Sequence, residues 1–260
     1  MGYETLILEK QGPIALIKMN RPPVNALNIR LYLEMYDMLC ELEADDSVGA
    51  IVITGAGEKA FAAGLDVKDV ANKSVAGILD FQNNVPKKCF EKLTGIAKPT
   101  IAAVFGLALG GGSEVALCCD LRIASSDAIF GLPEINLGII PGSGATQRLS
   151  RLVGTSKAKE LMFTGDTIGA EEAYRIGLVN KVVPREKLME ETMALANKLA
   201  AKPRVALALI KQCVDNGMNM DLPSGLTLER NSFVIAYASE DGREGINAFI
   251  EKRKPNYKGK

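Results

Sequence analysis

The chain reads as an α/β protein with a helical C-terminal region. Three features predict this. Apolar strand-like runs alternate with helical stretches as far as residue 185. Those runs are continuous rather than alternating, as expected of parallel strands covered on both faces. After Pro184 the pattern is helical only.

Thr5-Leu6-Ile7-Leu8 and Ile14-Ala15-Leu16-Ile17-Lys18-Met19, joined by Gln11-Gly12-Pro13, predict an opening hairpin. Asn28 is placed to cap a helix running to about Glu43. Leu31, Met35, Met38, Leu39 and Leu42 fall on one face of that helix. Asp45-Asp46-Ser47 ends it, and Ala50-Ile51-Val52-Ile53-Thr54 is the first buried strand. Thr100-Ile101-Ala102-Ala103-Val104 and Leu121-Arg122-Ile123-Ala124 are the next two. Residues 67–98 between them are mixed and partly helical, a long excursion of the kind that forms binding walls. A helical stretch is expected over residues 113–118 and a short strand over 178–183. The helical region begins at Glu186, with breaks at Pro203, Asn216-Gly217 and Pro223. The division expected is a core over residues 1–185 and a helical region over 186–260 that packs on the core or on another subunit.

Composition narrows the chemistry. The 260 residues include 31 Lys plus Arg, 31 Asp plus Glu and no histidine. Balanced charge predicts neither a nucleic acid nor a membrane surface as partner. No apolar stretch reaches the ~18 residues of a membrane span, and the first residues lack a secretory layout, so a cytoplasmic protein is expected. The five cysteines show no metal or disulfide spacing, which predicts reduced thiols and no bound metal. Without histidine, proton transfer falls mainly to carboxylates.

Two carboxylates stand beside glycine-marked turns. Glu114 follows Leu109-Gly110-Gly111-Gly112-Ser113 at a predicted helix start, where free N–H groups and the dipole favour developing negative charge. Glu134 follows Phe130-Gly131-Leu132-Pro133 in apolar company, which raises a carboxyl towards the range of a general acid. Phe61-Ala62-Ala63-Gly64-Leu65-Asp66 and Pro141-Gly142-Ser143-Gly144-Ala145-Thr146 are further turns that expose backbone. Gly55-Ala56-Gly57-Glu58-Lys59-Ala60 imitates a dinucleotide fingerprint, but Phe61-Ala62-Ala63-Gly64 stands where its helix should run. Lys252-Arg253-Lys254, with Lys258 and Lys260, reads either as a solvated tail or as contacts to phosphates.

These residues, in this order, resemble the crotonase (enoyl-CoA hydratase/isomerase) family almost end to end. Asn20-Arg21-Pro22 before Asn25-Ala26-Leu27-Asn28 is similar to the family's first coenzyme A loop, and residues 61–68 to its second. The turns ending in Glu114 and Glu134, Gly142-Ser143-Gly144-Ala145-Thr146-Gln147-Arg148-Leu149 and Phe249-Ile250-Glu251-Lys252-Arg253-Lys254 complete the match. Leu65 and Leu132 depart from the Ala and Gln of many hydratases, and the first loop is one residue shorter than in many.

The resemblance implies a spiral of ββα units followed by helices that support trimers and dimers of trimers. It implies an acyl-CoA thioester as substrate, with coenzyme A entering as part of it and no separate cofactor. The N–H groups of Leu65 and Gly111 would form an oxyanion hole, and Glu114 and Glu134 the acid–base pair. Val24, Ala63, Leu65, Asp66, Val67, Lys68, Gly111, Gly142 and Lys252 would contact the substrate or its coenzyme A. The implied activity is hydration of a 2,3-enoyl thioester. Alternatives are a Δ3–Δ2 isomerase using Glu134 alone, a hydratase of a cyclic dienoyl thioester, and a non-catalytic binder of RNA or acyl-CoA.

Overall fold

The computed structural model describes residues 2–260. Ten strands fall in two sheets: β1 Leu6–Gln11, β2 Ile14–Met19, β3 Ala50–Gly55, β4 Ala60–Ala62, β5 Thr100–Val104, β6 Leu107–Leu109, β7 Leu121–Ser125, β8 Ile129–Gly131, β9 Thr167–Gly169 and β10 Lys181–Val183. The larger sheet runs β1-β2-β3-β5-β7-β10 and the smaller β4-β6-β8-β9. Only β1 with β2 and β8 with β9 are antiparallel; every other neighbouring pair is parallel. The chain therefore lays one strand in each sheet before winding back: β3 then β4, β5 then β6, β7 then β8. That is the spiral of ββα turns. Registers such as Ile51 opposite Thr100 and Ile101 opposite Leu121 keep the turns stacked.

Helix α1 (Ile29–Ala44) starts where Asn28 Oδ1 accepts the Leu31 N–H at 2.9 Å. It buries Leu31, Met35, Met38, Leu39 and Leu42 as its spacing predicts, and also Tyr32 and Glu34. The excursion over 67–98 holds a short 3-10 turn, Val67–Asp69, then α2 (Val75–Asn84) and α3 (Pro86–Gly95). Helices α4 (Gly111–Cys118), α5 (Ala145–Val153), α6 (Thr155–Thr164) and α7 (Ala170–Arg175) follow. The last four are α8 (Leu188–Ala200), α9 (Arg204–Gly217), α10 (Leu222–Ala238) and α11 (Glu240–Ile250). Helix α8 closes one face of the larger sheet, with Leu188 and Ala196 buried beside Ile14, Val52 and Ile101. Helices α9, α10 and α11 pack on one another in sequence and leave Phe233, Val234, Ile235, Tyr237, Phe249 and Ile250 exposed.

Two expectations need correction. The strand expected over 178–183 is confined to Lys181–Val183, because the amides of Leu178 and Val179 turn back to the Ala173 carbonyl. Pro223 breaks no helix; it lies in the first turn of α10, where its missing N–H costs no intrahelical bond. The break falls instead at Ser239, whose hydroxyl caps α11 by accepting the Gly242 N–H. No helix among the described residues is long and apolar enough to cross a membrane.

Candidate active site

Two chain crossings build the site. At the first, the loop before α4 carries Gly110 at φ +50°, a conformation that favours glycine. Its N–H donates to the Gly131 carbonyl at 2.9 Å, and Ser113 Oγ donates to the carbonyls of Ala108 (2.6 Å) and Gly131 (3.0 Å). A side chain at Gly112 would run into the Ala62 carbonyl, so the glycine permits β4 to press on the helix start. Gly111 opens α4, leaving its N–H with no partner inside the helix.

At the second crossing, the loop over 63–66 is stitched to the loop over 21–27. The Ala63 N–H donates to Val24 O (3.0 Å), the Leu27 N–H to Gly64 O (2.7 Å) and the Asp66 N–H to Leu27 O (2.8 Å). Arg21 ties both loops, donating from Nη2 to Asp66 at 2.6 Å and from Nη1 to Ala26 O at 3.0 Å. The Arg21 guanidinium holds the Asp66 carboxyl below its ordinary range. Among the described residues, the Leu65 N–H joins none of these bonds. The two free amides are neighbours: a Cβ placed on Gly111 would lie 3.5 Å from Leu65 N, and one on Gly64 3.6 Å from Gly111 N. Two adjacent N–H donors at a helix start can hold one negatively charged oxygen.

Both carboxylates meet this turn. Glu114, 3% exposed, has Oε1 accepting the N–H groups of Ser143 (2.8 Å) and Ala145 (3.1 Å). Burial raises its carboxyl above the ordinary value, while the amides of Ala145 and Ser143 and the charge of Arg148 oppose the shift. Glu134 sits in a 3-10 turn, Pro133–Leu137, and reaches back over the glycines. A Cβ on Gly110 would stand 3.0 Å from its Oε1. Its Oε2 is buried with no hydrogen-bond partner among the described residues. Burial pushes Glu134 up to about 7, the charge of Glu114 adds to the rise, and its own backbone N–H opposes it. On the interior side lies an apolar cavity of about 20 Å³, edged by Ser113, Leu132 and Leu149.

The structure thus brings Leu65, Gly111, Glu114 and Glu134 to one place. Val24 and Ala63 form the seam behind Leu65, Asp66 is bound to Arg21, and Val67 and Lys68 stand exposed on the rim. Gly142 lies under α2, where an added Cβ would meet Gln82 Nε2 at 2.8 Å. Lys252, at φ +55° just past α11, is tied by its backbone to Phe249 and not to the 63–68 loop among the described residues. The sequence reading lacks two supports of the site, the Arg21–Asp66 pair and Asn25. Asn25 Nδ2 donates to the carbonyls of Ala56 (3.0 Å) and Ala60 (2.9 Å). Arg21 and Asp66 are 45 residues apart, so only their placement inside the two loop motifs hinted at a link.

The similarity of this chain to known proteins runs over nearly its whole length. Residues 9–260 match the family described as Enoyl-CoA hydratase/isomerase. The chain is 45% identical to the crotonyl-CoA hydratase of Syntrophomonas wolfei, over 99% of each chain. It is 47% identical to the short-chain-enoyl-CoA hydratase of Clostridium acetobutylicum, over 98% of this chain and 97% of that one. The solved enoyl-CoA hydratase subunit I of Geobacillus kaustophilus superposes with a TM-score of 0.94 at 44% identity, covering 99% of both chains.

Proposed function

The chain belongs to the enoyl-CoA hydratase/isomerase family, and we propose that it adds water reversibly across the 2,3 double bond of an enoyl-CoA thioester. The full-length similarity to hydratases of crotonyl-CoA and short-chain enoyl-CoA supports this reaction. The observation that carries it is the meeting of two carboxylates with the free amides of Leu65 and Gly111. An isomerase needs one carboxylate to move one proton; hydration uses both.

Water is a poor nucleophile, and an isolated alkene does not attract it. Conjugation to the thioester carbonyl makes the β-carbon attackable and sends the displaced electron pair to the thioester oxygen. The N–H groups of Leu65 and Gly111 receive that oxygen, and one such donor is typically worth ~3 kcal/mol. Glu114, oriented by the Ser143 and Ala145 amides, takes a proton from water as it adds to the β-carbon. Glu134, protonated up to about pH 7, delivers a proton to the α-carbon as the enolate collapses. In dehydration the roles exchange. The reaction draws on no metal or redox cofactor, because coenzyme A comes with the substrate.

Lys68 on the rim suits a phosphate of the coenzyme A part. Lys252, just past α11, is a second candidate for the same role. The exposed apolar face of α10 and α11 supports assembly as a homotrimer or dimer of trimers, with residues 186–260 supplying the contacts. The testing experiment is a panel of enoyl-CoA thioesters of increasing chain length, followed by loss of the conjugated absorbance band. Rapid loss with crotonyl-CoA is expected; a panel that is bound but never hydrated would overturn the assignment.

A further inference from the structure

Helix α1 buries an otherwise mostly aliphatic face, and Tyr32 interrupts it at 2% exposure. Its ring is held edge-on against Phe90, with centroids 5.6 Å apart and planes at 78°. This fixes where the hydroxyl points. The position that a Cβ on Gly111 would take is 3.3 Å from the Tyr32 hydroxyl, 3.5 Å from Leu65 N and 3.1 Å from Leu27 Cδ1. The phenol therefore ends where the two free amides meet.

That hydroxyl enters none of the hydrogen bonds formed among the described residues. Yet it is not sealed off, as the unpaired Tyr3 hydroxyl, Glu134 Oε2 and Thr192 Oγ1 are. A phenylalanine would fill the same slot against Phe90 without an unpaired polar group to bury. The amides beside the hydroxyl are donors and supply no acceptor, which leaves the Tyr O–H free to donate to an oxygen bound there. Burial first, and the nearby Glu114 charge second, push its ionisation well above the ordinary range, so it stays a neutral O–H at any working pH.

We propose that the Tyr32 hydroxyl is a third hydrogen-bond donor to the thioester oxygen, beside the amides of Leu65 and Gly111. The proposal rests on the hydratase reading above. It adds a side-chain donor, carried on a core helix, to a site otherwise built from backbone. As the carbonyl becomes an enolate oxygen its negative charge grows, so a donor aimed there strengthens most in the transition state.

The test is Tyr32→Phe, which removes one oxygen and keeps the ring packing. Turnover of crotonyl-CoA is expected to fall ~10-fold or more, with KM moving far less and Tm unchanged or raised. A second readout is the absorbance of a bound aryl-conjugated enoyl thioester. Polarisation by the donors shifts that band to the red, and the shift should shrink in Tyr32→Phe. Turnover within about twofold of wild type would overturn the proposal. So would a loss of turnover with the red shift intact, since the hydroxyl would then act elsewhere. Should wild-type protein hydrate no thioester, the hydratase reading fails separately, and the bound-state spectrum still decides the role of Tyr32.

Discussion

Glu114 and Glu134 are the same side chain in two different settings. Glu114 stands in the first turn of an eight-residue helix that is buried throughout, and two backbone amides grip one of its oxygens. Glu134 stands in a 3-10 turn that opens a mostly exposed apolar run from Ile135 to Ile140, and one of its oxygens has no partner. Burial raises both carboxyls. The amides then favour the charged form of Glu114, while the charge of Glu114 favours the neutral form of Glu134. The difference between the two regions separates acid from base without any change of residue type.

The comparison breaks most sharply at the carboxylates themselves. Glu114→Gln and Glu134→Gln should each lower hydration by ~10²–10⁴-fold while leaving thioester binding nearly intact. Single-turnover rates beside equilibrium binding of a saturated acyl-CoA check this. If only Glu134→Gln abolishes proton exchange at the α-carbon, the division of roles is sharpened; equal loss of exchange in both would blur it.

Next in size is the shared oxyanion turn. Gly111→Pro removes one N–H at the first helical position, where proline's φ is tolerated, although its Cβ would press on Leu27 Cδ1 at 3.1 Å. Turnover should drop ~10²-fold with the far-ultraviolet circular dichroism retained. Unchanged turnover would remove the Gly111 amide from the mechanism.

A smaller effect concerns pH and stability, and its sign differs between regions. The folded value of Glu134 is raised to about 7, so its contribution to stability is fully present below the ordinary glutamate range and is lost as pH rises through about 7. Glu34 on α1 is the opposite case. Burial alone would raise it, but hydrogen bonds from Arg30, Thr5 and Glu4 outweigh that and bring it to about 2. Its stabilisation is present above the ordinary range and is lost as pH falls towards 2. Chemical denaturation across pH should therefore show Glu34→Gln flattening the acid limb and Glu134→Gln flattening the decline towards neutral pH.

Much of this was legible in the sequence, and the remainder has identifiable causes. Strands β3 and β5 are continuous apolar runs, and α1 announces itself through Asn28 and its stripe. The smaller sheet was not readable. Ala60-Phe61-Ala62, Leu107-Ala108-Leu109 and Ile129-Phe130-Gly131 are each too short to show a period, and they become strands only by pairing with one another. Pro223 misled because proline both ends helices and begins them. The glutamates and glycine turns were readable because each lies within one short motif. The Arg21–Asp66 tie and the position of Tyr32 were not, since both depend on the spiral bringing distant turns together.

The claim that setting alone separates two glutamates is tested most directly by titrating the carboxyl of Glu134 with carbon-13 NMR, in wild type and in Glu114→Gln. The account predicts a midpoint at about 7 in the wild type, and a lower one once the neighbouring charge is gone. A midpoint in the ordinary glutamate range in both proteins would contradict it.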